Sequence, residues 1–223
     1  MKATLHHSHE ETPTITSFFF VCERPLRYVA GQFIELTIPH SHPDDRGIKR
    51  WFTLSSAPGH ELVAITTRYS DPASTFKQAL WQLQPGEVID ISEPMGDFVL
   101  PKDTIKPLVF IAGGIGITPF HSIVQWLIDT KQSRSVQLLH SVHQAEDLVF
   151  QDTFAQPFIE KQEVIGQQLT AKTIHKIIGG IDGKQLFISG PEPMTEAIVR
   201  QFNKDFGLGQ DQLITDYFPG YPA

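Results

Sequence analysis

PLVFIAGGIGITPFHSIVQW, residues 107–126, joins an apolar run to an amphipathic one through Gly113-Gly114-Ile115-Gly116. Leu108 to Ala112 reads as a buried strand, and apolar residues recur at helical spacing from Thr118 onward. Glycines let the backbone approach an anion closely, and the first N–H groups of a helix point at it. Pro119 suits an early helical position, because the N–H it lacks would have no helical acceptor there. The stretch therefore predicts a phosphate-holding turn in the second half of the chain. The glycines do not follow G-x-G-x-x-G, and no Gly-Lys-Ser/Thr follows, which excludes a Walker A loop. A tight strand-to-helix turn without a ligand has the same outline.

Toward the C-terminus, strands and helices alternate. The helix predicted over 118–129 is followed by a strand at 136–140 and short helical material from about Glu146 to Phe158. Thr170 reads as the N-cap of a helix ending at Gly179-Gly180. A strand at 185–189, a helix from about Pro193 to Phe206 and a strand from about Gln212 to Tyr217 complete the pattern. Such alternation predicts an α/β domain, a parallel sheet with helices on both faces.

Toward the N-terminus the period shortens. Apolar or alternating runs at 14–22, 32–38, 51–54, 62–67, 88–91 and 98–100 are separated by turn signals. The turns include Ala30-Gly31, His42-Pro43-Asp44-Asp45, Pro58-Gly59 and Pro85-Gly86. Short strands at near-regular spacing predict a small antiparallel β-barrel, interrupted by one helix from about Ser74 to Leu83. Lys102 to Lys106 reads as the linker between domains at 1–103 and 104–223.

Composition narrows the classes. Of 223 residues, 40% are hydrophobic and 19% charged, as in globular proteins. No apolar run reaches the roughly 18 residues of a membrane-spanning helix, and MKATLHHSHEETPTIT lacks the apolar centre of a signal peptide. A net charge of −7 argues against a nucleic-acid partner. The single cysteine, Cys22, excludes a disulfide framework or a cluster held by four local thiolates, and points to the cytoplasm. His6, His7 and His9 read as part of a solvated, mobile terminus, and no metal site is expected.

Four motifs, in order, sharpen this outline. They are Arg50-Trp51-Phe52-Thr53 with Leu54-Ser55-Ser56-Ala57-Pro58, then Thr66-Thr67-Arg68 with Ser74-Thr75-Phe76, then the glycine turn with Thr118-Pro119, and last Ser189-Gly190-Pro191-Glu192-Pro193-Met194. Together they resemble the ferredoxin–NADP⁺ reductase superfamily of flavoenzymes, from about Ile15 to Tyr221, without an iron–sulfur domain. The resemblance implies a flavin-binding barrel followed by a nicotinamide-nucleotide-binding domain. It assigns Arg50 to the flavin phosphates, where a guanidinium can grip two oxygens. Phe52 takes the ring-packing place of the family's tyrosine, without the phenol, and Thr53 matches the hydroxyl residue near flavin N5. Ser74 and Thr75 match the helix start under the flavin pyrophosphate, where free N–H groups favour an anion. Thr66 and Arg68 are further candidates for the flavin side.

On the nicotinamide side the resemblance assigns Gly113, Gly114 and Gly116 to the dinucleotide pyrophosphate. Thr118 and Pro119 would lie toward the nicotinamide. Ser189, where some relatives have cysteine, Gly190 and Met194 would lie at the end of a later strand. Ser141 and His143 occupy the stretch where NADP-preferring relatives place an arginine for the 2′-phosphate, and Glu146 and Asp147 follow. Asp216 matches a carboxylate near the reacting atoms. Phe218 or Tyr221 would cover the flavin ring. The implied activity is a flavin-dependent NAD(P)H reductase, with FAD favoured over FMN and either NADH or NADPH as substrate. Hydride passes from nicotinamide to flavin N5, and electrons leave for a separate acceptor such as ferredoxin or flavodoxin. A flavin or small-acceptor reductase, a reductase subunit of a larger complex, and a non-catalytic nucleotide-binding module share these residues.

Overall fold

The computed structural model describes residues 1–102, 105–209 and 212–218. The chain divides into two compact units, Met1–Val99 and Leu100–Ala223.

The first unit contains β1 (Lys2–Thr12), β2 (Ile15–Cys22), β3 (Phe33–Thr37), β4 (Lys49–Thr53), β5 (Val63–Arg68), α1 (Thr75–Gln82) and β6 (Val88–Ile91). The strands form an antiparallel six-stranded sheet in the order β4-β3-β6-β1-β2-β5. A bridge between Leu54 and Ile65, with a 2.8 Å bond from the Ser55 N–H to the Ala64 carbonyl, joins the two edges and closes a barrel. Alternate residues face inward, as strand geometry requires: Ala3 and Leu5, Phe18 and Phe20, Ile34 and Leu36, Val63 and Ile65. Ser74 caps α1 by accepting the Lys77 N–H, and Phe76 and Leu80, one turn apart, anchor the helix in this core.

The expected mobile N-terminus is instead β1, bonded to β2 on one side and β6 on the other. Only Ala3 and Leu5 of this strand are buried apolar residues, so its own pattern is too short to announce it. Its outer half carries His6, His7 and His9, with His7 stacked on Phe19 of β2 at 4.4 Å. The run at 98–100 forms no strand.

The second unit contains β7 (Leu108–Gly113), a 3-10 turn at Gly114–Ile117, α2 (Thr118–Asp129), β8 (Val136–Val142), β9 (Ile159–Ile165), α3 (Ala171–Ile177), β10 (Gln185–Pro191), α4 (Glu192–Phe206) and β11 (Leu213–Phe218). Its five strands are parallel, in the order β11-β10-β7-β8-β9. Val109, Ile111, Leu186 and Ile188 pack with Ile174 of α3 and Ile198 and Phe202 of α4. Phe110, of opposite parity, stacks on Phe120 of α2 at 4.6 Å and meets Phe187 at 5.6 Å. Helices thus cover both faces, as the alternation predicts.

The helical material expected over about 146–158 is a correction. Only Ala145–Asp147 is helical there, as a 3-10 turn, and the chain then runs through turns into β9. That strand reads IEKQEVI and is exposed along most of its length, because it is the edge of the sheet. Charged residues protect such an edge and hide the strand's periodicity. Among the described residues, no helix is long and apolar enough to cross a membrane.

Candidate functional site

In the first unit, the expected phosphate-binding groups converge on a carboxylate. The Asp44 carboxylate accepts from Arg50 Nη2 at 2.9 Å and from the Arg46 N–H at 3.1 Å. Its other oxygen accepts from the Thr75 N–H, the first of α1, at 3.3 Å. The Thr75 hydroxyl accepts the Asp44 N–H at 2.9 Å and lies 3.1 Å from His40 Nε2. His40 Nδ1 lies 2.8 Å from the Ile38 carbonyl, which can only accept, so Nδ1 donates there. Burial acts to raise the Asp44 pKa, but the Arg46 N–H, the Arg50 guanidinium and the Thr75 N–H together hold it below the ordinary carboxylate value.

Strand alternation places these groups. Arg50 and Phe52 share one face of β4, and Trp51 and Thr53 the other. The Arg50 guanidinium lies 5.3 Å from the Phe76 ring centre, and Phe76 stacks on Phe52 at 5.9 Å. Arg50 Nη1 also donates to the carbonyls of Arg46, Gly47 and Lys49, while its buried Nε has no hydrogen-bond partner. Phe52 therefore packs inside the barrel, and the exposed aromatic of the motif is Trp51, 59% exposed and 6.0 Å from Phe33. Thr53 is buried on the Trp51 face. Thr66 and Arg68 lie opposite the inward Ile65, and Thr66 joins a buried hydroxyl chain with Ser17 at 2.7 Å and Ser55 at 2.9 Å. Ser74 spends its oxygen on the helix cap.

In the second unit, parallel register gathers most of the expected nucleotide-binding residues at the C-terminal ends of the strands. One row across the sheet reads Asp216, Ser189, Ala112, His140, Glu163. The next residues on these strands are Tyr217, Gly190, Gly113, Ser141 and Val164. The chain moves outward from β7 to β8 and β9, then returns to β10 on the other side of β7. Open α/β sheets bind their ligands at such a switch point.

The glycines have separate tasks. A Cβ on Gly116 would lie 2.3 Å from the Ser189 carbonyl oxygen, and one on Gly113 2.5 Å from Met194 Sδ. A Cβ on Gly190 would lie 2.7 Å from Met194 Cε and 3.1 Å from the Gly113 Cα. These three let the turn after β7 press against the end of β10, with the Met194 thioether covering Gly113 and Gly190. Gly114 differs: its φ is +52°, and a Cβ there would meet no atom within 4 Å. It is the open, left-handed position of the turn, and its carbonyl lies 2.9 Å from His140 Nε2.

The Thr118 hydroxyl donates to the Ile115 carbonyl at 3.2 Å, and Pro119 sits buried in the first turn of α2. The Ser189 hydroxyl is fully buried and has no hydrogen-bond partner. Ser141 bonds the Gln167 carbonyl at 3.3 Å, and His143 is exposed just beyond β8. Phe218 ends β11 beside Pro191, and Tyr221 lies outside the described residues. Sequence reasoning missed Asp44, hidden in a turn signal, and His140, whose signal is a lone histidine in the apolar strand VQLLHSV.

Residues 110–163 match the family model of the oxidoreductase NAD-binding domain. The chain is 22% identical over 204 residues to the NADH oxidoreductase HCR of Escherichia coli, covering 88% of this chain and 62% of that protein. It thus spans about three fifths of that relative's length. A cytochrome P450 reductase of Amycolatopsis, GcoB, superposes with a TM-score of 0.84 at 23% identity, covering 98% of this chain and 70% of that one. A ferredoxin NADP⁺ reductase from Neisseria gonorrhoeae, solved with bound FAD and NADP, superposes at 0.80 with 19% identity, covering 97% and 98%. Its antiparallel barrel and parallel sheet share the fold of these solved reductases, and the match over residues 110–163 is to an oxidoreductase NAD-binding domain.

Proposed function

We propose that the protein is a flavin-dependent NAD(P)H reductase that passes electrons to a separate acceptor. The observation that carries this reading is the convergence of Arg50 and the first N–H of α1 on one carboxylate. A guanidinium beside a helix N-terminus suits a flavin phosphate, and the Asp44 carboxylate stands in for that anion here. Ser74 keeps the helix start in place beneath it, and Phe76 supports the guanidinium from one side. FAD is the favoured cofactor, and when bound it would take hydride from the nicotinamide at N5 and release electrons onward.

The chain's own residues bind and orient. Gly114, with its neighbours Gly113 and Gly116, would receive the dinucleotide pyrophosphate at the rim of the parallel sheet. Thr118, Pro119, Ser189, Gly190 and Met194 would line the nicotinamide end, and Ser141 and His143 the adenosine end. Thr53 and Asp216 would tune the reacting atoms rather than act as nucleophiles, and Thr66, Arg68, Phe218 and Tyr221 complete the flavin assignment. The domains are assigned to 1–103 and 104–223, and the place of action to the cytoplasm. Ferredoxin or flavodoxin is the proposed acceptor class.

A visible spectrum before and after NADH and NADPH tests the reading. A flavin spectrum that bleaches with either nucleotide, followed by turnover with an acceptor panel, supports it. A colourless protein that cannot be reconstituted with FAD or FMN overturns it.

A further inference from the structure

Alternate residues of β8, Val136, Leu138, His140 and Val142, are buried on one face of the parallel sheet. Three are aliphatic, and one is an imidazole only 2% exposed. Burying an imidazole costs free energy unless a hydrogen bond compensates. The bond seen is from Nε2 to the Gly114 carbonyl at 2.9 Å, and a carbonyl only accepts, so Nε2 carries the proton. Burial lowers the His140 pKa, with opposing contributions from the Gly114 bond, Glu163 and Asp147, and keeps the ring neutral.

Gly114, which opens the 3-10 turn, takes this bond on its carbonyl at an unusual backbone position. It has the left-handed φ of +52°, open space where a side chain would be, and a glycine's freedom to rotate its peptide planes. In a trans peptide the carbonyl and the following N–H point in opposite directions. Fixing the Gly114 carbonyl toward His140 therefore fixes the Ile115 N–H away from it. Gly114 and Ile115 are half-buried, whereas Gly113 before them and Gly116 after them are buried. The peptide joining residues 114 and 115 is thus the part of the turn that reaches the surface.

We infer that His140 is a positioning residue: it locks the 114–115 peptide so that the Ile115 N–H is held ready for the pyrophosphate of the nicotinamide dinucleotide. The inference rests on the proposed use of this turn for that dinucleotide. His140 does not touch the substrate and acts through Gly114.

The test compares the flavin-loaded wild-type protein with His140→Leu, which suits the aliphatic face, and His140→Gln, whose Nε2 can donate from a similar place. His140→Leu should raise KM for the nicotinamide nucleotide and Ki for ADP-ribose by about tenfold, the size of one hydrogen bond, with kcat within about twofold. The Ki for AMP, which lacks the pyrophosphate, should change less than about twofold, and His140→Gln should recover most of the loss. Should His140→Leu destabilise the unit, His140→Gln still decides, because a lock retained gives near-wild-type KM. Wild-type KM in His140→Leu, equal losses for AMP and ADP-ribose, or no recovery by Gln would overturn the inference. Failure of the wild-type protein itself to oxidise NADH or NADPH would instead overturn the proposed function.

Discussion

Asp44 holds Arg50 at 2.9 Å while its second oxygen takes the first N–H of α1, so one carboxylate ties two elements to a single point. A flavin phosphate using the same donors must displace it. Asp44→Ala should therefore tighten binding of FAD and FMN by roughly threefold to tenfold, the range of a partly exposed charged contact. Riboflavin has no phosphate and should bind the variant and the wild type alike. Fluorescence titration of the apoprotein measures all three. Equal weakening for FAD and riboflavin would show that Asp44 only supports the loop.

Gly113 and Gly116 separate a soft contact from a hard one. Gly116→Ala drives a Cβ into the Ser189 backbone, 2.3 Å from its oxygen, and should destabilise the protein by about 3 kcal/mol or more. Gly113→Ala meets the flexible end of Met194 first, with Pro191 Cδ next at 3.1 Å. Met194→Ala should then recover part of the Gly113→Ala loss and none of the Gly116→Ala loss. Urea unfolding of the single and double variants gives the coupling, expected at about 1 kcal/mol for the Gly113 pair. Additive losses at Gly113 and Met194 would contradict the packing described.

The sequence made legible what a strand or helix says by itself. α2 spans the predicted 118–129, β6 the predicted 88–91, and Thr170 caps α3 as expected, because each carries its own period or cap. β1 and β9 stayed hidden because their pairing partners stabilise them more than their own patterns do. The site followed the same division. The glycine turn was visible as a cluster of glycines, but not that Gly113, Gly116 and Gly190 serve close packing while Gly114 alone supplies the left-handed turn. That distinction needs the approach of β10, brought alongside by residues some 75 positions later in the chain. Asp44 was invisible for a similar reason, since its partners Arg50 and Thr75 lie in different elements.

Selection between NADH and NADPH should respond to residue 143. His143 is exposed just past β8, where the resemblance places the arginine of NADP-preferring relatives, and Glu146 beside it is exposed as well. A guanidinium would grip a 2′-phosphate through paired bonds, whereas an imidazole has no such fork of donors. His143→Arg should raise the ratio of kcat/KM for NADPH over NADH by about tenfold. An unchanged ratio would remove residue 143 from the adenosine end of the site.

The acid limb of stability should carry a signature of His140. Desolvation lowers its pKa in the folded state below the usual value, despite the Gly114 carbonyl, Glu163 and Asp147, while Lys161 acts in the same direction as burial. The unfolded chain therefore takes up this proton at a higher pH, near the ordinary value of about 6.5. The contribution of the neutral ring is present above that value and shrinks as pH falls below it, until the folded-state pKa is reached. Within this window stability rises with pH by up to about 1.4 kcal/mol per unit for one proton. His140→Leu and His140→Gln both remove the titrating group, so either should flatten that part of the curve, even if Leu is less stable at pH near 7. Urea unfolding free energies between about pH 5 and 7.5 measure the slope. The other histidines remain in all three proteins, so a slope unchanged by both substitutions would mean that His140 is not held neutral in the folded chain.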